Sequence, residues 1–411
     1  MTAIVGILNK QGVALAADSA VTVNGQVHNS AIKIFSLSKF HPVGVMIYNS
    51  AGFIDVPVEI IIKLYREHLY QTSFDDLDGY LNDFIAFLKK NTFFTSESEQ
   101  ENYFLSLIYQ SFYSIENDAR VKKASINDFI DFLLGRIDKK AQKFGEFEDY
   151  SQEEFLEKHR DNILNLHESF CQDIGLDPRE FNIDKFLDLI YWTLVQINET
   201  FLYTGVVFAG YGNNDIYPSL VSIQLSLAID GRLRYFIEDN RRANISFEGY
   251  SSVIRPFAQT QMMDLIISGA SPDLIEGFEH LFGAVINKYR SAINDEINDL
   301  EISKRIDAIN IDEHVDHFMT QIKEYQRQFY ISRLLDAVSF LNKEELAELA
   351  ESLVYLTFLQ KRVTFSSEDV GGAVDVAVIT KGDGLIWIKR KHYFKPELNP
   401  HFLKNYFNQR K

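Results

Sequence analysis

Strand-like runs in this chain fall in three blocks far apart in sequence. A strand needs a hydrogen-bonded neighbour, so any sheet here is assembled across long stretches of other structure. The first block holds TAIVGIL and VALAADSAV around the turn NKQG, then KIFSLS and VGVMIYNS. The second is TGVVFAG, SLVSIQLSLA and RLRYFIE, the last two meeting at Asp230-Gly231. The third is AVDVAVIT and LIWIKRK about Lys381-Gly382-Asp383-Gly384. Short β-branched runs bounded by Gly, Asn and Asp read as hairpins.

Helical periodicity fills the intervals. VEIIIKLYREHL follows Pro57, which suits a first helical turn, and SFDDLDGYLNDFIAFLKK is amphipathic. From 91 to 203 the texture turns acidic and aromatic, with SINDFIDFLLGRIDKK and DKFLDLIYWTLVQINETF as helices. A further helix-rich stretch covers roughly 256 to 360, where LNKEELAELAESLVYLTFL opens on Asn342 with Glu345 three residues on, a capping-box pair. Strands and helices clustered in this way predict a layered α/β or α+β core rather than alternating βαβ units. The expected division is core at 1–90, 204–270 and 342–411, with helical insertions at 91–203 and 271–341. No internal repeat is evident.

Composition narrows the function. Of the 411 residues, 46% are hydrophobic and 24% charged, which is ordinary for a globular protein. Fifty-eight acidic residues against 41 basic ones leave a net charge of −17, which argues against phosphate neutralisation and so against a nucleic-acid partner. The single Cys171 excludes an internal disulfide framework and fits a reducing compartment. No secretory leader precedes the first strand, and apolar stretches such as FLDLIYWTLVQI, interrupted by Asp188, are too short to span a bilayer. The expectation is a cytoplasmic protein without a membrane partner.

The first 35 residues hold a candidate site. Removal of Met1 would leave Thr2 as the N-terminus, and a free α-amine, with a reference pKa of about 8, can act as base for the hydroxyl of its own residue. Asp18 ends the second strand in LAADSA, and Lys33 sits between apolar residues in AIKIFSL. Brought together at one sheet end, Lys33 would tune the Thr2 hydroxyl and amine while Asp18 holds an ammonium in place. A buried lysine at that position calls for a carboxylate partner.

Thr2, Asp18 within AADS, and Lys33, in that order, resemble the start of proteasome β-subunits and of the bacterial HslV peptidase, members of the N-terminal nucleophile (Ntn) hydrolase superfamily. The resemblance extends to VGVMIYNSAGFIDVPVEIIIKLYREHL and to SSEDVGGAVDVAVITKGDGLIWI. It implies an α+β fold, a four-layer αββα sandwich with large helical insertions. It implies a threonine-type peptidase or amidase acting without cofactor or metal on a peptide or small amide, and assembling as a homo-oligomer. A backbone N–H at Asn49 or Ser50 is the implied oxyanion donor. Ser367 and Val370 take the places of a family Asp and Ser, and Gln259 or Thr260 replaces a further family Ser, so the supporting polar groups become Ser367 and Thr260. Ala20 stands where many members carry Arg. The alternative reading is a proteasome-like scaffold that binds through its helical insertions without useful turnover.

Other features read as structure. His314 and His317 in DEHVDH have ligand-like spacing but nothing else in the chain completes a metal set, so they are expected on a solvated acidic helix face. The glycines of FAGYGNN and Gly371-Gly372 lack P-loop context and are expected to allow close backbone approach. The many Phe and Tyr residues of the insertions are expected to form helical core.

Overall fold

The computed structural model describes residues 3–23, 26–28, 31–38, 40–139, 143–196, 202–297, 299–363, 371–392 and 394–401. It is a mixed α+β structure of two compact units. The first comprises residues 1–34, 216–219 and 243–411, the second 35–215 and 220–242.

The first unit is built on a five-stranded sheet in the order Ser252–Phe257, Ile4–Asn9, Gly12–Asp18, Val374–Thr380, Gly384–Lys389. All four pairings are antiparallel. The two-residue connection Lys10-Gln11 makes the first hairpin, with Asn9 opposite Gly12. Asn9 is fully buried there, and its side-chain amide donates to Val338 O at 3.0 Å and Leu341 O at 2.8 Å, tying the hairpin to the turn before helix Lys343–Val363. A Cβ on Gly12 would lie 2.7 Å from Ile379 O, so the strands approach as closely as they do because this residue is glycine.

Alternation sorts the strands by face. Val5, Ile7, Ala14, Ala16, Val376 and Val378 share a core with Met263 of helix Gln261–Ser268 and with Leu346, Ala350, Leu353 and Val354 of helix Lys343–Val363. The last helix begins where expected. Asn342 N–H donates to Glu345 Oε2 at 2.9 Å, and Glu345 N–H returns a bond to Asn342 Oδ1 at 3.0 Å. The strand Ser252–Phe257 was not foreseen, because Arg255 and Pro256 spoil its pattern. As an edge strand it tolerates both.

The second unit orders Arg232–Ile237, Ser219–Ile229, Thr204–Gly210, Val43–Asn49 and Ile34–Ser36 in one sheet. Asp230 and Gly231 join the first two with φ of 52° and 72°, the paired positive values that the Asp-Gly sequence favours. Helices Val58–Leu69 and Leu77–Lys90 bury Ile61, Ile62 and Tyr65, and Leu81, Phe84 and Leu88. Helices Glu97–Val121, Ile126–Gly135, Gln152–Ile174 and Ile183–Val195 form a separate aromatic core, in which the Phe112 ring stacks on Phe186 with centroids 4.3 Å apart. That core reaches Leu227 and Ile229 of the sheet. Among the described residues no helix is long and apolar enough to cross a membrane.

Two buried polar anchors fix these helices to the hairpin. Arg234 donates to Thr193 O, Leu194 O and Gln196 O at 3.0 to 3.1 Å, satisfying carbonyls at the end of Ile183–Val195. His159 Nε2 lies 3.0 Å from Asp230 Oδ2 and its Nδ1 3.2 Å from Glu101 Oε1, while the Tyr150 hydroxyl donates to Asp230. Burial alone would push the imidazole down, yet its bonds to Asp230 and Glu101 hold it up at about 9. Burial would likewise raise Asp230, but His159 and Tyr150 bring it down to about 2.

The folded chain therefore keeps a proton on His159 that the unfolded chain loses near 6.5. This stabilisation is complete below about 6.5 and is lost as pH rises through about 9, amounting to about 3 kcal/mol. Urea unfolding is expected to show that loss between those pH values, and His159→Gln should be less stable at the lower pH with a flatter profile. Equal pH slopes in parent and variant would refute the assignment.

Candidate functional site

One end of the first unit's sheet gathers the candidate residues. Asp18 is the last residue of its strand, opposite Val374, and its N–H donates to Ala3 O at 3.1 Å. Phe257 pairs with Ile4, so the turn Ala258-Gln259-Thr260 leaves the sheet beside the same end. Ala258 and Gln259 have φ of 30° and 52°, strained values for residues with a Cβ, and Thr260 leads into helix Gln261–Ser268.

The Asp18 carboxylate is buried and, among the described residues, accepts four hydrogen bonds. Lys33 Nζ donates to Oδ1 at 2.7 Å and the Ala3 amide to the same oxygen at 3.0 Å. The amides of Ala20 and Gly371 donate to Oδ2 at 3.2 and 3.4 Å. Lys33, 5% exposed, also donates to Ala20 O at 2.5 Å. Burial pushes Asp18 up from the carboxylate range against the pull of Lys33, and pushes Lys33 down from the lysine range against the pull of Asp18. At 2.7 Å and with three further donors on the carboxylate, the pair is held by mutual attraction in a site that penalises either charge alone.

The structure thus brings Asp18 and Lys33 together. Thr2 and Ser367, with Val370, lie outside the described residues. What is described next to Thr2 is the Ala3 amide, whose nitrogen is bonded covalently to the Thr2 carbonyl carbon and which donates to Asp18. Asn49 and Ser50 belong to the second unit. There Asn49 has φ of 67°, the Ser50 N–H donates to Tyr203 O at 3.2 Å, and Asn49 and Tyr203 border a cavity of about 770 Å³ with Leu107, Phe129, Leu189 and Arg136.

The backbone donors Ala3, Ala20 and Gly371 were not expected from the sequence. Every residue carries an N–H, so only the Gly371-Gly372 pair offered a signal. Gly372 takes φ of 82°, and Ser19 Oγ donates to Ala373 O at 2.9 Å just beyond. His314 and His317 are exposed along helix Ile311–Gln326, and among the described residues no three metal-ligating side chains converge.

No family model matches the chain. No curated protein matches it either. Among solved structures, an Anbu (Gly-1) mutant from Hyphomicrobium sp. strain MC1 aligns over 100% of this chain and 98% of its own, at 10% identity and a TM-score of 0.29. The Anbu complex from Pseudomonas aeruginosa, described as a helical assembly, aligns over 98% of this chain and 93% of its own, at 7% identity and a TM-score of 0.27. Likenesses at this level decide neither fold nor activity.

These findings correct the family assignment. The resemblance to proteasome β-subunits and HslV is not supported by any family model or curated protein, and the solved structures named above are Anbu proteins. The physical reason lies in what AADS and Lys33 encode, a buried ion pair at the end of a hairpin, which is a local arrangement and not a family signature.

Lys33→Met tests the pair. Among the described residues it leaves the buried Asp18 carboxylate with backbone donors only, and it is expected to cost about 3 kcal/mol in urea unfolding at pH 7. Because burial favours the protonated carboxyl, the cost should shrink as pH falls toward 5, and Asp18→Asn combined with Lys33→Met should recover part of it. A cost independent of pH would show that Lys33 contributes by packing alone.

Proposed function

We propose that the chain is an N-terminal nucleophile hydrolase of the αββα class, an amidase or peptidase that uses Thr2 as its nucleophile once Thr2 is the N-terminal residue. The observation that carries this reading is the convergence of the Ala3 amide and Lys33 Nζ on Asp18 Oδ1, at 3.0 and 2.7 Å. It supports a nucleophile at residue 2, because the amide that follows residue 2 donates to the buried lysine–aspartate pair.

In the proposed reaction Thr2 Oγ adds to the substrate carbonyl carbon while the α-amine takes the hydroxyl proton. The amide C–N bond breaks, the leaving amine departs with that proton, and an ester to Oγ remains. Water then adds to the ester carbonyl with the same amine as base, releasing the acid and restoring the hydroxyl. Asp18 and Lys33 position the first residue and set the charge around its amine, and Thr260 is the proposed polar neighbour at the sheet end. A peptide or small amide is the proposed substrate.

Intact mass should show a chain beginning at Thr2, and a threonine-directed epoxyketone should add once, since it bonds to both hydroxyl and amine. Thr2→Ala should keep the unfolding midpoint, abolish labelling and lower amide hydrolysis by at least a hundredfold, while Thr2→Ser keeps part of both. Retention of Met1 throughout the native protein, or undiminished hydrolysis by Thr2→Ala, would remove this reading. The scaffold role would then stand, favoured by the exposed apolar side chains of helix Pro272–Glu296.

A further inference from the structure

The cavity of about 770 Å³ beside Asn49 and Tyr203 takes no part in the chemistry proposed for Thr2, and every described residue lining it belongs to the second unit. Three helices form its walls. Helix Glu97–Val121 turns two adjacent rows toward it, Leu107, Ser111 and Ile115 beside Gln110, Ser114 and Asp118, each in steps of four residues. Phe129 and Leu133 face it from helix Ile126–Gly135, with Arg136 at that helix's end, and Leu189 and Ile190 face it from Ile183–Val195.

The wall is therefore apolar over most of its length but carries polar groups that the protein leaves unused. Ser111 Oγ turns back to Leu107 O at 2.8 Å. Among the described residues, by contrast, the side chains of Gln110, Ser114, Asp118 and Arg136 make no hydrogen bond or ion pair, and Arg136 meets only the Phe132 ring, 5.7 Å from its centre. Two opposite charges thus border one cavity without pairing. Lys122–Ser125 is a four-residue connection between helices that share a core, so the two run in opposite directions. Asp118 lies three residues before that connection and Arg136 eleven after it. At 1.5 Å per residue their levels differ by about 10 Å.

That separation selects the occupant. A ligand that meets both charges has an ammonium at one end, a carboxylate about 10 Å away and apolar groups between them, and an extended peptide advances about 3.5 Å per residue. Three residues span the distance. Gln110 and Ser114 can serve the peptide groups in the middle, and the Arg136 fork suits a carboxylate. A single amino acid is too short to reach both ends. An aliphatic acid would meet Arg136 but set its chain against Asp118.

We propose that this cavity binds a short unblocked peptide of about three apolar residues, with its ammonium at Asp118 and its carboxylate at Arg136. The inference stands apart from the nucleophile assigned to residue 2.

Calorimetric titration of the full-length Thr2→Ala chain with tri-leucine is the test, since without the proposed nucleophile the result does not depend on hydrolysis. One tripeptide per chain should bind with a Kd of about 100 μM or below. Amidating its carboxylate or acetylating its amine should each weaken binding at least tenfold, as should replacing it by leucine. Adding Arg136→Gln should abolish the discrimination against the amide and keep that against the acetylated peptide, and Asp118→Asn should do the reverse. Both side chains are exposed, so neither change should move the circular dichroism or the unfolding midpoint. No binding at concentrations up to about 5 mM overturns the proposal. So does an affinity indifferent to blocked ends, unchanged discrimination in either variant, or laurate binding more tightly than tri-leucine.

Discussion

The Asp18 carboxylate is the point on which the first unit closes. Removing a carboxylate from water costs several kcal/mol unless its lone pairs are met, and here they are met from four places in the chain. Ala3 comes from just before the first strand, Ala20 from just past the second, Lys33 from the segment beyond, and Gly371 from the approach to the last hairpin. The ladder from Asp18–Val374 to Val13–Ile379 therefore has a polar lock at one end, and the Asn9 bonds to Val338 O and Leu341 O close the other. A sheet made from chain ends more than 350 residues apart is fixed in register at both margins.

The second unit solves a similar problem with different groups. Four helices with an aromatic core of their own would be an appendage if only apolar contacts joined them to the sheet. Instead the Asp230-Gly231 turn offers a carboxylate to His159 and Tyr150, and Arg234, two residues into the returning strand, satisfies the last carbonyls of Ile183–Val195. Both anchors are directional, so they specify where the helices sit, whereas the stacked rings around Phe112 mainly supply burial.

Legibility in the sequence followed the range of the interaction. The first hairpin, the Asp230-Gly231 turn and the Asn342–Glu345 cap rest on neighbours within a few residues, and each stands where its local chemistry puts it. Lys33 could be matched with Asp18 because a buried cation demands a carboxylate, an argument needing no alignment. The edge strand through Arg255 and Pro256 was missed because its position in the sheet, not its composition, makes it a strand. The amides of Ala3 and Gly371 were missed because a backbone donor leaves no trace in residue identity. The resemblance to proteasome β-subunits and HslV found no support in a family model or a curated protein, and of its residues Asp18 and Lys33 are accounted for by a local ion pair.

Asp18 and Lys33 also have to act jointly on any chemistry at residue 2. An isolated carboxylate beside an N-terminal amine would stabilise its ammonium form and raise its pKa above the ordinary value of about 8, leaving less free base at neutral pH. A lysine alone would do the reverse, but a buried ammonium without a counter-charge would itself lose its proton. Paired at 2.7 Å, the two cancel at distance, while Lys33 still presents positive charge to the side of Asp18 that receives the Ala3 amide. In the proposed reaction an N-terminal amine at residue 2 would then be neither trapped as a cation by a lone carboxylate nor repelled by a lone ammonium, and a cation near the hydroxyl would lower the cost of its developing negative charge. On that reading the pair would make base and nucleophile compatible on one residue, a condition that neither side chain meets by itself.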